Sequence, residues 1–80
     1  MNNIEDIANR MMEISREFYK DPLNEKHIQK CIKHRDDLKS LLDETRAIKI
    51  KTGRVKEIDK ILSDAVDYFN EVIKKLRRAH

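Results

Sequence analysis

His27, Cys31 and His34 stand at i, i+4 and i+7, a spacing that lines three side chains along one face of a helix. Imidazole and thiolate are the commonest zinc ligands, so this is the one constellation in the chain with metal chemistry in its residue types. A tetrahedral site needs a fourth ligand, and only His80 could approach from another part of the sequence. The simpler expectation is that Cys31 fills a small core position and the histidines are its partly exposed flanks, with no metal and no other cofactor.

The remaining reactive side chains fit no catalytic arrangement. Asp36-Asp37 and Asp43-Glu44 are adjacent pairs, which point in different directions on a helix. Ser15, Ser40, Ser63, Thr45 and Thr52 have no recognisable base beside them, and one glycine cannot build a phosphate-cradling loop. Arg35 and Lys39, one turn apart, could hold a dicarboxylate between helices, but nothing else in the chain completes such a site. The expectation is a protein that is not an enzyme and has no small-molecule substrate.

Three helices must position these residues. Ile4, Ile7, Met11, Ile14 and Phe18 alternate at spacings of three and four, which predicts a helix over about 3–20, capped by Asn2 or Asn3. Asp21-Pro22 interrupts it, with Asp21 suited to an N-cap and Pro22 to a first helical position. A second stripe of Ile28, Cys31, Leu38 and Leu42 predicts a helix over about 22–50, with Arg35 on the stripe as a rim residue or as a buried cation needing a partner. Gly53, the only glycine, is expected to end that helix in the left-handed conformation. Val55, Ile58, Leu62, Ala65, Phe69, Val72 and Leu76 then hold a three-four alternation over about 54–78.

Short connections make consecutive helices antiparallel neighbours, so the expected fold is all-α: an up-down-up three-helix bundle, a single domain over 1–80, built on a long hairpin of helices 2 and 3. At 1.5 Å per residue the expected helices span roughly 27, 42 and 38 Å, which leaves hairpin face near Gly53 uncovered around Ile48, Ile50, Val55 and Ile58. Eighty residues make a marginal core, and association would relieve it, so a homodimer is expected.

Composition agrees with this class and excludes larger ones. At 9.6 kDa, with 39% hydrophobic and 41% charged residues, the chain is too short for nucleotide-binding α/β folds or barrels. A single cysteine cannot form an internal disulfide, the N-terminus is acidic where a signal peptide is basic, and no apolar run is long enough for a membrane span. A cytoplasmic location without membrane contact follows as the expectation.

The net charge of +3 conceals an asymmetry. Residues 1–45 carry eight basic and ten acidic side chains, and residues 46–80 carry ten and five. One basic cluster surrounds Gly53 (Arg46, Lys49, Lys51, Arg54, Lys56 and Lys60), and a second comprises Lys74, Lys75, Arg77 and Arg78. The second could contact phosphates of a nucleic acid or another polyanion, although no aromatic residue is interleaved for base stacking. The leading expectation is a non-catalytic interaction module: an adaptor, chaperone, regulator or inhibitor of a larger protein. Met12, Tyr19, Ile50 and Tyr68, beside rather than on the main stripes, are the candidate protein-binding residues.

Overall fold

A computed structural model describes residues 3–79. Its order is helix α1 (Ile4–Tyr19), a short 3-10 helix (Pro22–Lys26), helix α2 (Ile28–Arg46) and helix α3 (Gly53–Arg78). No strand occurs among the described residues. The fold is the all-α, three-helix bundle that the periodicity predicts. Helix α2 packs most extensively on α3, less on α1, and α1 touches α3 least.

Local chemistry sets each boundary. The Asn3 side chain accepts from Glu5 N at 2.8 Å, satisfying a donor that the first turn of α1 leaves free, while Glu5 and Asp6 sit favourably in the helix dipole. Asp21 caps and Pro22 opens the next element as expected, but that element is a 3-10 turn and not the start of α2. Its only large apolar residue, Leu23, remains exposed, so no burial rewards a continuous helix there. Instead the Asn24 side chain donates to Phe18 O at 2.8 Å, and the extended His27 restarts the chain as the cap of α2.

The other end of α2 also departs from expectation. The helix stops at Arg46, and Lys51 Nζ donates to the carbonyls of Arg46 (2.8 Å) and Thr45 (3.4 Å), two of the acceptors a helix end leaves open. Gly53 does not adopt a left-handed conformation. It is the first residue of α3, and Thr52 is the cap, its hydroxyl accepting from Val55 N at 3.2 Å. Helix 2 therefore runs over 28–46 and not 22–50. Helices of 16, 19 and 26 residues span roughly 24, 28 and 39 Å, so α1 and α2 are nearly matched.

This shortening closes the surface expected to be open near Gly53. Val55 and Ile58 are buried, Ile48 packs on the core, and only Ile50 stands clear. The core runs continuously through Ile7, Phe18, Cys31, Leu38, Leu41, Leu62, Phe69 and Ile73. A bidentate pair fastens α1 to α2: Arg10 Nη1 and Nη2 donate to Glu44 Oε2 and Oε1 at 3.0 and 2.5 Å. Arg35 is a rim residue, donating to Asn70 Oδ1 on α3 and Asp36 Oδ1, each at 3.0 Å. No described helix is long and apolar enough to cross a membrane.

Candidate protein-interaction face

Helices α1 and α3 run parallel, as the first and third helices of an up-down-up bundle must. Their register is fixed at two levels. At one end Arg54 Nε donates to Glu5 Oε1 at 3.1 Å, a separation of 49 residues along the chain. Two heptads further, Tyr19 and Tyr68, again 49 apart, both donate to Glu25 Oε1, at 3.4 and 3.2 Å. One offset thus relates the two helices along this face.

Seven residues bring a helix back almost to the same direction, so Met12 lies on the stripe of Tyr19 and Ile61 on that of Tyr68. By the same offset Met12 is level with Ile61. The α1/α3 face therefore carries two apolar rungs, Met12 with Ile61 and Tyr19 with Tyr68, separated by roughly 10 Å. All four side chains are half exposed, at 51%, 45%, 51% and 52% respectively. Ala8 on α1 and Ala65 on α3 are the small side chains near the seam.

The aromatic rung is held from behind. Tyr19 and Tyr68 each meet a core phenylalanine edge-on, Phe18 and Phe69, with ring centroids 5.1 Å apart in both pairs. Burial, then the Glu25 carboxylate, pushes the Tyr19 phenol up from its ordinary value; the hydrogen bond to Glu25 does the same for Tyr68. Both hydroxyls donate to Glu25 in their ordinary protonated form, and the shift widens the pH range over which they do.

Three of the four expected protein-binding residues, Met12, Tyr19 and Tyr68, share this face. Ile50 does not: it is 78% exposed in the loop between α2 and α3, apart from the rungs. Ile61, which lies off the α3 stripe, takes its place. Its seven-residue spacing to Tyr68, the same as that of Met12 to Tyr19, is the signal that identifies it.

The zinc-like constellation disperses. His27 is the backbone cap of α2, and the Cys31 thiol points inward toward the carbonyls of Asn24 and Glu25 at 3.6 and 3.5 Å. Burial pushes the Cys31 thiol up from its usual value. His34 is not a partly exposed flank: it is 4% exposed, stacked on Phe18 at 4.2 Å and edge-on to Phe69 at 4.7 Å. Among the described residues no group of three His, Cys, Asp or Glu side chains gathers around a metal-sized site, and His80 lies outside them.

Both basic clusters are engaged by acids in part. Near Gly53, Arg46 pairs with Asp59, Arg54 with Glu5 and Glu57, and Lys60 with Asp64, while Lys51 is engaged with backbone carbonyls. At the C-terminal end Lys74 and Arg77 line a cleft with Arg35, Asp67 and Asn70, and Lys74 pairs with Glu71 at 3.4 Å. Lys75 and Arg78, one residue further along the helix, are exposed about 100° away around its axis. Lys74 and Arg78, four residues apart, are neighbours on the helix surface, so the four exposed cations wrap around the last turns of α3. No protein-family model matches the sequence, and no curated protein or solved structure matches it either.

Proposed function

We propose that this chain is a non-catalytic protein-interaction module whose α1/α3 face docks another polypeptide. The observation that carries the reading is the pair of half-exposed rungs, Met12 with Ile61 and Tyr19 with Tyr68, repeated at one heptad on two helices in fixed register. Isolated exposed hydrophobic residues are ordinary on any surface, but aligned ones that share a face are not isolated. Tyrosine and methionine are also the side chains best suited to anchor an interface, the first rigid with a polar tip, the second adaptable in shape. Here the tyrosine rings are pre-positioned by Phe18, Phe69 and Glu25, which lowers the entropic cost of binding.

Capture of a partner from an extract of the source cell tests this. The wild-type chain retains a partner; the Tyr19→Glu and Tyr68→Glu variants lose it while their circular dichroism remains helical. Capture unchanged in both variants refutes the assignment of this face.

A further inference from the structure

We propose that the occupant of the α1/α3 face is a second copy of this chain, docked with all helices of the interface parallel and α1 of each copy over α3 of the other. This rests on the reading of that face as a docking surface and adds its partner and geometry. Two identical faces meet about a two-fold axis lying in the interface, either along the helices or across them. The rungs accept both arrangements. The charges beside them accept only one.

Arg16 stands four residues after Met12 and three before Tyr19, so it borders the strip on α1. Asp64 stands three after Ile61 and four before Tyr68, and borders it on α3. With the axis along the helices, the 49-residue offset that holds within the chain also relates α1 to α3 of the second copy. Met12 then faces Ile61, Tyr19 faces Tyr68, and Arg16 comes within one residue, about 1.5 Å, of the level of Asp64, which it reaches beside Lys60; each pairing occurs twice. Lys20, one turn beyond Arg16, lies two residues, about 3 Å, short of the level of Glu71, which also pairs with Lys74 of its own chain. Among the described residues Arg16 and Lys20 have no ion-pair partner within the chain.

With the axis across the helices, α1 lies over α1 and α3 over α3. Matching the rungs then brings Asp64 against its own counterpart and Arg16 against its own. Lys60 beside Asp64 offsets the first contact, so the chief charge against that arrangement is Arg16 on Arg16, neither with an ion pair of its own among the described residues. The parallel arrangement is the one in which apolar register and charge agree.

The size of the strip sets the strength. Four half-exposed side chains present on the order of 400 Å² per copy, about half of what one partner contributes to a standard interface, with the charged border supplying more. A reversible dimer follows, with dissociation in the micromolar range.

Sedimentation of the full chain across about 10–300 μM, a span that brackets micromolar dissociation, is the deciding experiment. The wild type reaches dimer mass, and Tyr68→Glu stays monomeric with its helix content intact. If Tyr68→Glu loses helix through repulsion from Glu25, Met12→Glu, on the other rung, gives the same reading. Arg16→Glu and Asp64→Arg each turn two symmetry-related attractions into repulsions and weaken the dimer about tenfold. The double variant R16E/D64R restores it, which only the parallel crossing allows. A wild type that remains monomeric, or a double variant no better than the singles, overturns the proposal. A monomer that still captures an extract protein through Tyr68 refutes the second copy alone; a dimer and a capture both indifferent to Tyr68→Glu refute the face itself.

Discussion

His34 should make the stability of this protein fall with acid through a window set by one proton. Its ring lies between Phe18 and Phe69, in a cleft bordered by Glu17 of α1 and by Lys33 and Asp37 of α2. Burial, the largest influence, holds its pKa below the ordinary 6.5; Asp37 acts in the opposite direction and Lys33 with burial. The unfolded chain therefore binds more protons than the folded one between that lowered value and about 6.5. Stability from this group is fully present above about 6.5 and is lost as pH falls through the window. One proton is the most a single group can contribute, which caps the slope at about 1.4 kcal/mol per pH unit. For a small domain losing about 1 kcal/mol per molar urea, that caps the movement of the unfolding midpoint at about 1.4 M per pH unit. Urea titrations of wild type and His34→Leu from pH 7.5 to 5 measure it, because every other titrating group is common to both. The wild-type midpoint drops more steeply than that of the variant. Parallel pH profiles would refute the argument, since they require a His34 that protonates without cost and so is not held neutral in the core.

Two further predictions concern the joints between elements. The Arg10–Glu44 pair is partly exposed, 39% and 26% by side chain, so a double-mutant cycle with Arg10→Gln and Glu44→Gln should give a coupling of about 1 kcal/mol near pH 7. The Arg10 hydrogen bond holds the Glu44 carboxyl below its ordinary 4.5, so the coupling is present above that value and disappears as pH falls through the lowered one. At the start of α3, Thr52→Ala should cost about 1 kcal/mol through loss of the cap, whereas Gly53→Ala should stabilise by about 0.5 kcal/mol. A methyl at Gly53 meets nothing within 4 Å and its backbone is not left-handed, so destabilisation by Gly53→Ala in thermal melts would return that residue to the role of a helix terminator.

The helical stripes were legible because burial of one face is nearly all that α1 and α3 require, and periodicity reports burial directly. The ends of α2 were not, because two start signals competed with the stop. A proline beside an N-cap aspartate is equally compatible with an α-helix and a 3-10 turn, and the choice fell to the Asn24–Phe18 bond, a contact six residues apart. Gly53 resembles a terminator, yet Thr52 directly before it is a stronger initiator, and Lys51 supplies the stop with its side chain. His34 and Thr45 were obscured by residue type alone. His34 follows Cys31 by three and precedes Leu38 by four, on the stripe; Thr45 follows Leu38 by seven and is fully buried, its hydroxyl donating to Leu41 O at 2.8 Å. A polar side chain on a stripe is buried when it has an aromatic sandwich or a local carbonyl to meet, and neither shows in a linear pattern.

The candidate face was half legible for a related reason. Tyrosines and a methionine beside the stripes mark side chains at the edge of burial, but which of them stand together depends on the register between α1 and α3. Those helices are not consecutive, and their offset is set by the whole intervening hairpin. The same register decides which of the basic residues near Gly53 meet an acid. Folding lays acid-leaning α1 beside the Gly53 end, where Glu5 meets Arg54, while Asp59 and Asp64 of α3 take Arg46 and Lys60. Among the described residues, the cations of this segment without an ion-pair partner, Arg16 in α1 and Lys20 at its C-cap, border the apolar strip. Exposed ion pairs contribute little to stability, so the worth of these two lies in selection: they decide which surface can close over the rungs, and in what direction.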